Sequence, residues 1–265
     1  MADQWTVQPG VSCPGCPHRA AYIACRKATG RKADRIICGD AGCSEVGFLH
    51  PAATTCPGGE ALLLDRYKTG VPAPAGDCGK TTCGACVYLL PDEAMAAAEV
   101  PEELSSLAQE GSSVILGILA SSRAFLTREA LEGLGELALG LGCADAVIVD
   151  PFDSARCHEV LSRMIGEAGF HAVVFASPCA QLQHGLYEAE PAEIDRYACT
   201  SCHRCLQVTG CPAISFTPPV FSIDPDLCAG CDLCREHCRT HVIYSPRSRM
   251  TPEERSRARY AAACQ

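Results

Sequence analysis

A parallel-sheet α/β domain followed by a small, cysteine-built α+β module is the architecture the sequence predicts. Three observations lead there. Apolar runs of strand length alternate with amphipathic stretches of helix length through the first 190 residues. From Cys199 to Cys238 the cysteines pass from scattered groups to tight, regular clusters. The chain is 48% hydrophobic, enough for a real core, with a formal charge of −9. That acidic balance argues against nucleic acid as the main partner, and no apolar run approaches the ~18 residues of a membrane span.

The elements follow in order. Arg35 to Cys38 reads as a short strand ending in Gly39-Asp40, and Val114 to Ala120 as an apolar strand. Thr127 can cap a helix running to Leu139, with Leu131, Leu134 and Leu137 along one side. Ala146 to Val149 is a further buried-type strand. Asp153 can cap the next helix, whose apolar face is Val160, Leu161, Met164, Ile165 and Ala168 and which Gly169 ends. Val173 to Ala176 is a third such strand. Strand, helix, strand, helix, strand makes a right-handed parallel sheet covered by helices. Ligands of such sheets gather at the carboxyl ends of strands, after Cys38, Ala120, Val149 and Ala176. The polar stretch Glu188 to Arg196 reads as a linker. The expected divisions are 1–190, a module at 195–245, and a basic tail at 246–265, which is expected to dock on an acidic partner surface or stay solvated.

Cysteine accounts for 21 of 265 residues, a density that means disulfides, zinc or iron–sulfur clusters. Disulfide scaffolds belong to short secreted chains. Here the count is odd, and MADQWTVQPG has neither a basic start nor an apolar signal core. The expectation is a cytoplasmic metalloprotein with reduced cysteines.

Cys199-x2-Cys202-x2-Cys205-x5-Cys211-Pro212 precedes Cys228-x2-Cys231-x2-Cys234-x3-Cys238. Triple sets of this kind, each with a distant fourth cysteine, hold two 4Fe–4S clusters in crossed fashion. Cys199, Cys202, Cys205 and Cys238 are expected on one, and Cys211, Cys228, Cys231 and Cys234 on the other. Cys199-Thr-Ser-Cys202-His203 also fits haem attachment, but haem would strand Cys205 and the second set. Zinc sites pair two CxxC units rather than triple sets. Two clusters on one module imply an electron wire. His203 and Arg204 lie between ligands, where a charge would raise the cluster potential; a surface role is the alternative.

Cys-Pro-Gly-Cys-Pro-His-Arg (13–19), Gly-Asp-Ala-Gly-Cys (39–43), Ser-Pro-Cys (177–179) and CxxCHRCLxxxGCPAI (199–214) together resemble the α subunit of indolepyruvate:ferredoxin oxidoreductase. The resemblance covers the C-terminal half of that subunit, its thiamine-diphosphate-binding domain and its ferredoxin module of two 4Fe–4S clusters. It implies a third, proximal 4Fe–4S cluster on Cys13, Cys16, Cys43 and Cys179. Zinc on Cys13 and Cys16 is the competing reading. His18 and Arg19 would face that cluster or a substrate carboxylate, or His18 simply begins the helix that Pro17 starts.

The family's thiamine site takes an Asp from a GD turn and, roughly 25–30 residues on, an Asn, both for the Mg2+ that holds the diphosphate. This chain contains no asparagine. Gly76-Asp77 can supply the turn, but Cys-Gly-Lys-Thr-Thr-Cys-Gly-Ala-Cys follows it. Pro57-Gly58-Gly59-Glu60 and Leu119 to Phe125 replace two further cofactor-lining segments. Selective change of this kind beside twelve retained cysteines predicts a domain that serves electrons, without thiamine diphosphate. A divergent cofactor site using Asp77 with Glu93 or Glu99 is the alternative. Cys78-x4-Cys83-x2-Cys86 has the spacing of three plant-type 2Fe–2S ligands; with Cys56, or with Cys38, it would hold a fourth iron–sulfur cluster or a zinc. Cys25, Cys143, Cys157 and Cys264 read as ordinary residues.

The leading expectation is an electron-transferring iron–sulfur subunit of an anaerobic redox complex. Its partners would be other subunits and ferredoxin or a similar carrier. The alternatives are a catalytic thiamine-dependent 2-oxoacid:ferredoxin oxidoreductase subunit and a zinc scaffold.

Overall fold

Five strands, all parallel, form a sheet in the order β1-β2-β3-β5-β4. They are β1 (Ile36–Cys38), β2 (Cys86–Pro91), β3 (Ser113–Ala120), β4 (Ala146–Val149) and β5 (Gly169–Ala176). The computed structural model describes residues 13–30, 36–38, 86–97, 113–183 and 190–263. On one face lie α1 (Pro17–Ala28) and α4 (Ser154–Gly166), which share a core with Val87, Leu89, Ile115, Val173 and Phe175. On the other lie α2 (Asp92–Ala96) and α3 (Arg128–Gly140), packed with Tyr88, Leu90, Leu116 and Val174. Period-two alternation along β2, β3 and β5 feeds both cores, so these strands are apolar on both faces.

Local chemistry sets the ends of the helices. The Thr127 hydroxyl accepts from the Ala130 N–H at 3.2 Å, and the Asp153 carboxylate accepts from the Arg156 N–H at 3.0 Å, so both expected caps are present. Elsewhere the structure departs from expectation. The buried stripe of α3 is Leu131, Leu134 and Ala138, whereas Leu137 is 49% exposed; residues i, i+3 and i+7 share a face, which leaves Leu137 off it. β4 is an edge strand rather than a buried one, with Ile148 42% exposed. Gly169 does not end α4, which stops at Gly166; it opens β5 at φ +135°. β5 begins four residues earlier than its apolar run, because His171 sits inside it with Nδ1 at 2.7 Å from Asp145 Oδ1. β2 was not expected as a strand at all.

The C-terminal module is α+β. β6 (Glu193–Ile194) pairs antiparallel with β9 (Ile243–Tyr244), and β7 (Ile214–Thr217) with β8 (Val220–Ile223) across a cis Pro218–Pro219 bond. Two short helices, α5 (Arg204–Thr209) and α6 (Leu233–Glu236), follow the cysteine loops. The stretch read as a linker joins this module before Asp195, since Ala192 is buried and β6 begins at Glu193. The module does not hang free, because Leu233 belongs to the α1–α4 core of the sheet domain.

The basic tail is only partly solvated and turns Arg247, Arg255 and Arg259 inward. A 3₁₀ turn at Pro246–Arg249 leads into α7 (Pro252–Ala263), which packs on the chain's own carboxylates. The Arg247 guanidinium is buried and donates to the Gly230 carbonyl at 2.9 Å. Burial, with Arg259 nearby, pushes its pKa down to about 10, so it stays charged at neutral pH. Arg255 stands 3.8 Å from Asp232 and 3.6 Å from Glu236. Arg259 pairs with Asp150 and lies over the Phe152 ring at 4.5 Å. Asp232 and Glu236 belong to the cysteine module and Asp150 to the sheet domain, so α7 straps one to the other. Among the described residues no helix is long and apolar enough to cross a membrane.

Replacing Arg259 with Met keeps the stem but strands a largely buried carboxylate at Asp150. The expected loss is about 3 kcal/mol, seen as a lower anaerobic thermal midpoint; an unchanged midpoint would mean that α7 is not a strap.

Candidate metal centres

The two triple-cysteine loops repeat one backbone. Ser201 and His203 have φ of 50° and 61° in the first, and Gly230 and Asp232 have 59° and 63° in the second. Left-handed residues at alternate positions turn backbone N–H groups into a concavity suited to an anion or an iron–sulfur centre. Gly230 has no alternative, since a Cβ there would meet the Glu190 carbonyl oxygen at 2.6 Å.

Cys199, Cys202, Cys205 and Cys238 line one cavity, closed by Phe221, Val242 and Ile243. Cys211, Cys228, Cys231 and Cys234 line a second, with Ala213, Ile214 and Leu233. Each cavity thus gathers one triple set and the distant fourth cysteine of the other. Among the described residues no group of three or more His, Cys, Asp or Glu is arranged to hold a single metal ion. Cysteines that ring a cavity suit a cube, whose irons sit at separate corners. The N–H groups of Ala192 and Gly230 each reach Cys228 Sγ at 3.4 Å, and such donors steady a cluster sulfur.

Burial dominates the thiol electrostatics. It pushes the Cys231 thiol up to about 12, and Cys234 well above its usual value. Cys238 is the exception: burial raises it, but the N–H groups of Val242, Thr240 and His241 and the Thr240 hydroxyl outweigh that and leave it low. The thiols that burial raises, those of Cys205, Cys228, Cys231 and Cys234, become thiolates only when a metal supplies the compensating charge.

A third group stands at the carboxyl end of the sheet. The Cys13–Cys16 turn closes through the Cys16 N–H to the Cys13 carbonyl at 3.2 Å, and Cys16 precedes α1. Cys179 follows β5, its N–H donating to the Ser121 carbonyl at 3.0 Å beyond β3. Burial pushes Cys16 up to about 12; Cys179 adds to that rise, and Cys13 in turn adds to the rise at Cys179. The three sulfurs therefore share one neighbourhood. Cys43, the fourth expected ligand, lies outside the described residues.

This third group abuts the second quartet. Gly15, at φ +72°, has no Cβ; one built there would stand 2.6 Å from Ala229 Cβ and 3.9 Å from Cys231 Cβ. Arg19, 2% exposed, lines the Cys211 cavity together with Cys16. His18 is buried as well, its Nε2 at 2.8 Å from Ser121 Oγ.

Asp92 was overlooked in the sequence. It stands at the carboxyl end of β2, 29 residues before Ser121, a separation matching the metal-binding Asp and Asn of thiamine sites better than Asp77 does. Its Oδ2 accepts from the Ser121 N–H (2.9 Å), the Ser122 N–H (3.0 Å) and the Ser122 hydroxyl (2.9 Å), and its Oδ1 from the Glu93 N–H (2.9 Å). Four donors fill the roughly four lone-pair positions of a carboxylate. Ser121, in the Asn position, bonds His18. These residues do not fit a divalent cation carrying a diphosphate.

Other expected residues fall differently. Cys86 starts β2, 3% exposed and packed with Tyr88 and Leu90; it pairs with Val114 at the amino end of the strands, the end away from Cys179. Cys56, Cys78 and Cys83 lie outside the described residues, as do Asp77 and Glu99. Glu93 is exposed on α2. The half-buried His203 ring lies edge-on to Phe216 and Phe221, at 4.4 and 4.8 Å. Cys25, Cys143 and Cys157 are buried core residues, and Cys264 is not described.

The chain is similar to proteins named indolepyruvate oxidoreductase subunit IorA. It is 26% identical to that of Archaeoglobus fulgidus over 94% of this chain and 41% of that protein. It is likewise 26% identical to that of Methanothermobacter marburgensis over 91% of this chain and 41% of that protein. For Thermococcus kodakarensis the identity is 26%, over 87% and 40%. The chain thus spans about two fifths of the length of these relatives. No protein-family model and no solved structure matches it.

Asp92→Ala would leave the Ser121 and Ser122 N–H groups without an acceptor. The expected cost is about 3 kcal/mol of unfolding free energy, measured by anaerobic urea denaturation; a loss under about 1 kcal/mol would mean that the carboxylate does not organise this end of the sheet.

Proposed function

We propose that this chain is an electron-transfer subunit of a larger oxidoreductase, holding three 4Fe–4S clusters in a thiamine-type sheet domain and a ferredoxin-like module. The similarity to indolepyruvate oxidoreductase subunits supports the oxidoreductase setting. The observation that carries the reading is the contrast between Asp92, consumed by four protein donors, and three cysteine groups that remain open to a ligand.

Bound clusters would each take up and release one electron. The chain's own residues supply the rest. Cys13, Cys16 and Cys179, with Cys43, would hold the proximal cluster; Cys211, Cys228, Cys231 and Cys234 the next; and Cys199, Cys202, Cys205 and Cys238 the outermost. Contact at Gly15 makes the Cys211 set the neighbour of the proximal site. Exposed Cys202 makes the Cys199 set the exit toward ferredoxin or a similar carrier. Catalysis on an organic substrate then belongs to another subunit. Catalysis by this chain itself would need a metal to displace the donors that now hold Asp92.

Cysteine substitution tests the scheme. Cys202→Ser and Cys238→Ser are expected to abolish one and the same EPR signal of the dithionite-reduced protein. Cys211→Ser and Cys231→Ser would abolish a second, and Cys179→Ser a third. Each change should lower the iron content from about twelve to about eight per chain. Zinc in place of iron, or a signal shared by Cys202 and Cys231, would refute it. Iron beyond about twelve would report a further cluster at Cys78, Cys83 and Cys86 with Cys56.

A further inference from the structure

Arg19 is among the largest fully buried side chains in the described structure, and none of the three cysteine groups includes it. A guanidinium is a permanent cation, and α1 carries this one into the interior between two cysteine groups. α1 places its base one turn after Cys16. Its side chain lines the cavity of the second quartet, together with Cys16, Cys211, Cys228, Cys231 and Cys234. The wall between the two sites is thin there, since Gly15 packs directly on Ala229 and Cys231. The guanidinium stands close enough to bear on the sulfurs of both Cys16 and Cys231.

We propose that Arg19 is a positioning residue shared by two iron–sulfur sites, a fixed cation that raises the reduction potential of the proximal cluster and of the Cys211 cluster together. The inference rests on the electron-relay reading above and assigns a role within it. Reduction adds one negative charge to a cluster, and a nearby cation stabilises the reduced form; in a dry, low-dielectric interior the effect is large. Because one charge serves both centres, it moves both potentials in the same direction. An electron leaving the proximal cluster, which is thereby oxidised by one unit, reduces the Cys211 cluster by one unit without leaving the field of the same cation. No proton need accompany it. The Cys199 cluster, on the far side of the module, has no part in this.

The test is an EPR-monitored redox titration of the full chain, purified anaerobically, as wild type, R19Q and R19K. R19Q is expected to shift the midpoint potentials of the proximal and Cys211 clusters downward, leaving that of the Cys199 cluster unchanged as an internal control. R19K, which retains the charge, is expected to keep both near wild type. An iron-replete R19Q whose two potentials match wild type would overturn the role of Arg19, and so would a shift confined to one cluster. If R19Q does not retain its iron, R19M takes its place: a joint fall in both potentials supports the charge as agent, and unchanged potentials overturn it. A wild-type protein without iron–sulfur signals would sink the relay itself, and this role with it.

Discussion

The missing Cβ of Gly15 lets the two halves of this molecule touch. Its left-handed backbone and the 2.6 Å that would separate a methyl from Ala229 make glycine the residue that allows the Cys13–Cys16 turn to rest on the second cysteine loop. Electron transfer between buried centres requires such contact, because intervening water adds both distance and reorganisation. The rest of the structure secures the approach. Leu233 inserts into the core of the sheet domain, Arg247 ties down Gly230, and α7 reaches from Asp232 and Glu236 to Asp150. The cysteine module is therefore a structural part of the sheet domain's α1–α4 face.

Two sites at the carboxyl ends of the strands obey opposite chemistry. The thiols of Cys16 and, beside it in the cysteine module, Cys231 are pushed up to about 12 by burial and stay protonated near neutrality unless a cationic metal replaces the proton. They remain available to such a metal. The Asp92 carboxylate has already spent its lone pairs on Ser121, Ser122 and Glu93, and removing any donor would leave a polar group unsatisfied. The carboxylate braces this end of the sheet, and the cysteines stand beside it with no such commitment.

Cysteine spacing made the module legible, because three thiols in x2 steps constrain the backbone as few other patterns do. The two quartets that ring the cavities follow from it. Strands such as β3 were legible because uninterrupted apolar runs of that length have few alternatives. β2 was hidden by Cys86, whose spacing from Cys78 and Cys83 drew it into a candidate metal loop, while it also starts the strand on the same face as Tyr88 and Leu90. His171 hid half of β5 because its partner, Asp145, is remote in sequence. The tail looked like a docking arm because its arginines outnumber Glu253 and Glu254; the partners of Arg255 and Arg259, namely Asp232, Glu236 and Asp150, meet them only in the folded state. Asp92 carried a signal in its separation from Ser121, but the Gly76-Asp77 dipeptide drew attention away from it.

The most direct test is to measure thiamine diphosphate and iron in the same anaerobically purified sample of this subunit. A relay whose Asp92 is committed to Ser121 and Ser122 predicts about twelve irons per chain and no stoichiometric thiamine diphosphate. About one thiamine diphosphate per chain would contradict it and would return catalysis to this polypeptide.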